Sequence, residues 1–178
     1  MRDEVKLCDG VVTLSPLDPA DAAPAAADAA PVPVDAAPAI AEEDPATAPG
    51  ASSHRHRPRP RARWRPHGTG RTFAIRADRL VGTVELRPSA AGGAHGDVDL
   101  SYALHPEARG RGFATRAVLL ACAHAQAEGA RRAVIVTAAD APEASAVAHR
   151  AGFVRRGQIS HADGAVYDWY VKDLAGTC

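Results

Sequence analysis

The sequence predicts an α/β fold: a mixed, mostly antiparallel sheet flanked by helices, with one central βαβ unit. Three observations predict it. Two pairs of β-rich segments are joined by short turns, as hairpins are. Phe113, Ala117, Leu120 and Ala121 recur at helical spacing until Gly129 ends the run. That helical stretch lies between an alternating strand closing at Leu104 and an apolar strand opening at Ala133, the connection a parallel strand pair needs. With 178 residues, 46% of them hydrophobic, the chain is read as a single domain over residues 1–178, interrupted by a low-complexity segment at about 18–71.

Taken in order, "GVVTL" is a short strand. "DPADAAPAAADAA" reads as a helix with Asp18 as cap and Pro19 at its first position, kinked or delayed by Pro24. From Asp18 to Gly50 the chain holds seven carboxylates and no Lys or Arg; from His54 to Arg71 it holds seven arginines and no acid. The prolines of the second tract disfavour a helix, so it reads as an extended or mobile loop. "TFAIRA" and "RLVGTVELR" make the first hairpin. In "DVDLSYAL", Val98, Leu100, Tyr102 and Leu104 alternate with Asp97, Asp99, Ser101 and Ala103, so both acids share one face. A helix is expected from about Arg111. "RAVIVTA" is apolar enough for a buried, parallel strand, "APEASAVAHRAG" for a second helix, and "FVRRGQIS" and "AVYDWYV" pair through "HADG" as a closing hairpin.

Composition excludes several functions. Basic and acidic residues number 21 each, so overall charge points to neither nucleic acid nor an acidic membrane. Cys8, Cys122 and Cys178 lie far apart with no CxxC or Cys/His spacing, so neither a disulfide framework nor a metal site is expected. No segment approaches 18 apolar residues and the N-terminal stretch lacks an unbroken apolar run; no membrane association is expected, and the cytoplasm is the plain reading.

The chemistry gathers in "HPEARGRGFAT". A glycine-rich loop between the first strand and the helix of a βαβ unit is where open α/β sheets bind ligands, and a helix N-terminus there offers free N–H groups to an anion. Gly110 and Gly112 lack β-carbons, so a phosphate can approach the backbone, while Arg109 and Arg111 add charge. "GRGFAT" fails the dinucleotide pattern because Thr115 holds the third glycine position, and no GK[ST] follows.

What "RGRGFA", Arg109 to Ala114, does match is RxxGxA, the acyl-coenzyme A loop of the Gcn5-related N-acetyltransferases. The chain resembles that family from about Val11 to Leu174, and within it the branch that acetylates ribosomal-protein N-termini. "LSPLDPADA" resembles that branch's "LRPL" opening, with Ser15 in place of Arg; "DVDLSYALHPEARGRGFAT" resembles its fourth strand and loop, and "AHRAGF" the end of its fourth helix. The resemblance implies an enzyme that moves an acetyl group from acetyl-coenzyme A to a primary amine, a protein N-terminus or a small molecule, through a direct ternary complex. It implies that the pyrophosphate binds the backbone of Arg109, Gly110, Arg111, Gly112, Phe113, Ala114 and Thr115. The pantetheine arm would run beside Ala103 and Leu104, where the flanking strands splay apart.

An amine must be neutral to attack a thioester, so a carboxylate or a bound water should take its proton. The family often places an acid two or three positions before this strand's aromatic, and Asp99 stands there before Tyr102. Asp99 is the first candidate base or water-holder, against the alternative of a solvated strand acid; Glu85 is the second. His105 reads as a cap. The family's Asn and Ser at the start of the next helix are replaced by Ala141 and Ala144, leaving Ser145 or Asp140 as substitutes for the Asn, or a lapsed activity. The rival reading is a non-catalytic acyl-coenzyme A-binding protein, or a nucleic-acid-associated one using Arg55 to Arg65, six arginines at alternate positions.

Overall fold

The computed structural model describes residues 5–17, 70–89, 96–160 and 164–174. The helix expected from Asp18 and the arginine tract from His54 lie outside these residues. Eight strands form one sheet: β1 (Leu7–Cys8), β2 (Thr13–Pro16), β3 (Arg71–Arg76), β4 (Leu80–Pro88), β5 (Asp97–Leu104), β6 (Arg132–Ala138), β7 (Val154–Ser160) and β8 (Val166–Asp173). Their order across the sheet is β1-β2-β3-β4-β5-β6-β8-β7. Every neighbouring pair is antiparallel except β5 and β6, which are joined by helix α1 (Phe113–Ala127). Helix α2 (Pro142–Arg150) connects β6 to β7.

The strand periodicity does what the sequence implies. Val84 stands opposite Tyr102 and Leu86 opposite Leu100, and these face the same side as Phe73, Ile75, Ile135 and Tyr170. Against that side α1 lays Phe113, Ala117, Val118, Ala121, Cys122 and Ala125, all buried. Its alanines let the helix axis come close to the sheet. Each fully buried Val or Leu in this layer contributes about 1.5–3 kcal/mol over exposure. The same side receives α2 through Ala148 and through the Ser145 hydroxyl, 2.7 Å from the Tyr170 hydroxyl.

Three boundaries differ from the sequence reading. The strand expected at "GVVTL" begins only at Thr13, because Asp9 Oδ1 accepts the N–H groups of Val11 and Val12 at 3.0 and 2.8 Å and folds Gly10 into a turn; a two-residue strand, β1, precedes it. Those bonds, the Val12 N–H foremost and Arg116 Nη1 at 2.9 Å after it, hold the Asp9 carboxyl down at about 2. Helix α1 starts at Phe113 rather than Arg111, since Gly112 has φ +78°, which no right-handed helix contains. The apolar "RAVIVTA" is parallel to β5 over only three residues and runs antiparallel to β8 along its whole length.

Candidate active site

The glycine loop is built from both ends. The N–H of His105 donates to the Val81 carbonyl at 2.9 Å, closing β5 against β4. A single 3-10 turn, Pro106–Ala108, follows, with Ala108 buried beneath it. His105 occupies the cap position of that turn through its carbonyl, which accepts the Ala108 N–H at 2.9 Å, and not through its side chain. Gly110 and Gly112 then take φ +73° and +78°. Both are exposed, and a β-carbon on either would meet no atom within 4 Å, so the loop's outer surface is open.

The first helical bond of α1 runs from the Arg116 N–H to the Gly112 carbonyl at 3.2 Å. The N–H groups of Phe113, Ala114 and Thr115 precede it and have no intrahelical acceptor. Phe113 and Ala114 are buried and pin this end of the helix, and the Arg111 guanidinium lies 4.8 Å from the Phe113 ring centroid. The seven residues singled out in the sequence thus run from the loop into the first turn of α1, with free donors, an open surface and two exposed arginines. That donor set fits a pyrophosphate.

Upstream of the loop the sheet divides. β5 and β6 pair only as Asp97 with Arg132, Val98 with Ala133 and Asp99 with Val134. Beyond Asp99, β5 stays with β4 as far as Leu104 opposite Gly82, while β6 stays with β8 as far as Ala138. Ala103 and Leu104 therefore lie on the stretch of β5 that has lost its β6 partner. Gly82 is required there: a β-carbon would fall inside contact distance of the Ala103 carbonyl oxygen and 2.8 Å from Leu104 Cδ2.

Asp99 sits where the division begins. Its Oδ1 is buried and has no hydrogen-bond partner among the described residues. Burial pushes the carboxyl above its ordinary range; the Ser89 hydroxyl bond and the Arg87 charge oppose that, and the Asp97 charge adds to it. The solvated strand acid considered as the alternative is therefore not what the structure contains. Its sequence twin on the same face, Asp97, is also buried, but Arg132 holds it with two bonds, Nε to Oδ1 at 2.9 Å and Nη2 to Oδ2 at 2.8 Å. Glu85, the second candidate, lies opposite Ser101 and its Oε1 already accepts Arg87 Nε at 2.7 Å.

At the start of α2, Ala141 caps the helix with no side-chain hydrogen bond. The hydroxyl of Ser145, one of the two substitutes considered for the absent Asn, lies 2.7 Å from the hydroxyl of the buried Tyr170. Two residues near Asp99 and the loop escaped the sequence reading: Ser89, whose cross-strand closeness to Asp99 follows from Arg87 standing opposite it, and Tyr102, whose hydroxyl is buried and unpartnered. The sequence reading uses Tyr102 only as the strand's aromatic, on the face opposite Asp97 and Asp99. Among the described residues no three His, Cys, Asp or Glu side chains stand together as a metal site, and no helix is long and apolar enough to cross a membrane.

A family model described as an acetyltransferase (GNAT) domain matches residues 12–154. Solved structures with this architecture include a variant of a spermidine N-acetyltransferase from Vibrio cholerae, with 19% identity, 61% of this chain and 68% of that one covered, and a TM-score of 0.54. Another is a Salmonella typhimurium acetyltransferase that modifies the N-terminal serine of a 50S ribosomal subunit protein, at 21% identity, 60% and 64% coverage and a TM-score of 0.52. A putative acetyltransferase from Salmonella typhimurium, with its cofactor acetyl-CoA, shares 13% identity over 61% of this chain and 67% of that one, with a TM-score of 0.53. At these identities the likeness is one of fold. No curated protein sequence matches the chain.

Proposed function

The chain belongs to the Gcn5-related N-acetyltransferase family and is an acetyl-CoA-dependent N-acetyltransferase, and we propose that Asp99 is the group that prepares its amine acceptor. The observation that carries this reading is the buried, unpartnered Asp99 Oδ1 at the point where β5 and β6 part, seven residues before the 3-10 turn that opens the loop. An ammonium entering beside Asp99 gives up a proton to Oδ1, directly or through a water, and the neutral amine attacks the thioester carbonyl. The departing thiolate, with a pKa near 8.5, needs little help from an acid. The raised carboxyl suits the task, since a base closer in pKa to the amine accepts its proton more readily.

The loop from Arg109 to Thr115 binds the donor's pyrophosphate in this reading, and Ala103 and Leu104 line its arm. Charge around Asp99 favours an acceptor with a single ammonium, a peptide N-terminus or a small monoamine: Glu85 is paired with Arg87 and Asp97 with Arg132, so Asp99 is the carboxylate left to greet a cation. The exposed free Cys8 suits a reducing, cytoplasmic setting. The rival nucleic-acid role rests on arginines outside the described residues, and no observation favours it. The test is coenzyme A release from acetyl-CoA against peptides, monoamines, polyamines and RNA. Turnover is expected with monoamines or peptide N-termini; bound acetyl-CoA with no turnover on any amine would leave a non-catalytic binding protein.

The bare N-cap supplies a second check. Ala141→Asn adds a capping side chain worth about 1 kcal/mol, so Tm should rise by about 2–4 °C. It also restores a hydrogen-bonding group beside the end of β6, and acetyl-CoA affinity should rise up to roughly tenfold. Calorimetry and thermal melts read the two effects separately; a stabilised helix with unchanged affinity would place this end of α2 away from the donor's arm.

A further inference from the structure

Asp99 Oδ1 and the Tyr102 hydroxyl are the two buried side-chain polar atoms without a hydrogen-bond partner among the described residues. They stand three residues apart on one strand. Alternation puts them on opposite faces of β5: Asp99 opposite Arg87, Tyr102 opposite Val84. Tyr102 lies in the segment of β5 beyond its last pairing with β6, two residues before Leu104, on the face against which α1 and α2 pack. The first turn of α2, which begins four residues past the end of β6, presents Ala141, Pro142 and Ala144 and so offers no polar side chain other than the exposed Glu143.

An unpartnered buried hydroxyl costs about 1–3 kcal/mol, and native structures seldom retain one without a ligand, water or strain to account for it. We propose that the Tyr102 hydroxyl is a donor-binding group, which gives its hydrogen bond to a carbonyl oxygen of the acetyl-CoA arm as that arm lies along the unpaired stretch of β5. The assignment rests on the reading of that stretch as the donor's path. Burial pushes the phenol up to about 12, so the hydroxyl keeps its proton throughout the working range and can act only as a neutral donor or acceptor. The division of labour follows from the two faces of one strand: Asp99 serves the acceptor and Tyr102 the acyl donor.

Tyr102→Phe removes one oxygen and leaves the ring in place. Acetyl-CoA titrations on this variant should show Kd raised about threefold to tenfold, the acceptor's KM unchanged, and the ligand-free Tm equal to or above that of the unaltered protein, because no bond within the free protein is lost. Adding Ala141→Asn to Tyr102→Phe should recover part of the affinity. An unchanged Kd in the folded variant overturns the proposal. So does a fall in ligand-free Tm with unchanged Kd, which would make the hydroxyl a structural group. Failure of the unaltered protein itself to bind acetyl-CoA would instead remove the donor path on which the proposal rests.

Discussion

Asp99→Asn is expected to lower kcat by about 100-fold or more while leaving acetyl-CoA affinity unchanged, because the amide cannot accept the amine's proton but fills the same space. The pH profile carries the finer signature. Burial raises the Asp99 carboxyl, so the acid limb of kcat/KM, which rises as Asp99 ionises, should fall above the ordinary carboxylate range and be absent from the Asn variant. Residual activity of the variant should climb at high pH, where the free amine is plentiful. Stability gives a check of opposite sign. A carboxyl whose folded pKa lies above its unfolded value binds more protons folded than unfolded between the two, so stability falls as pH rises through that window. Above that window the ionised Asp99 therefore weakens the fold, and Asn should match or raise Tm there. Wild-type turnover in the variant would move proton removal to Glu85 or to solvent.

Gly112→Val should weaken acetyl-CoA binding tenfold or more. Two effects combine. At φ +78° a β-branched residue is strained by about 1–3 kcal/mol, which either lowers Tm by several degrees or shifts the loop. The new side chain also stands on the loop's open surface next to the start of α1, where a β-carbon meets no atom within 4 Å beyond its chain neighbours. Because nothing in the free protein collides with it, the fold should survive. Titration calorimetry on the folded variant decides the matter: unchanged affinity would take the pyrophosphate away from this loop. Gly112→Ala, with the same positive φ and a smaller side chain, should fall between the two.

Much of this site is legible in the residues themselves. The loop conformation of "RGRGFA" is legible because two glycines and a following helix are local features: positive φ at Gly110 and Gly112 needs only the absence of a β-carbon. The alternation in "DVDLSYAL" likewise places Asp99 on one face and Tyr102 on the other, and the hairpins and the βαβ unit follow from periodicity and turn residues. The helix start was two residues out because the glycine that draws the eye toward a helix is the one whose φ excludes it.

Other features are decided only by the assembled sheet. Asp97 and Asp99 are equivalent in the sequence, two acids two positions apart on one strand. Register makes them different: Asp97 falls opposite Arg132 and becomes half of a partly buried ion pair, while Asp99 falls opposite Val134 and keeps one oxygen unpaired. Nothing in "RAVIVTA" reveals that its strand abandons β5 after three residues to follow β8, which opens the sheet beside Ala103 and Leu104. Pattern and local backbone geometry determine which residues face together and where the glycine loop turns into α1. Which carboxylate is left without a partner, and which hydroxyl is buried beside the gap, depends on neighbours distant in sequence, and only strand register brings those neighbours into place.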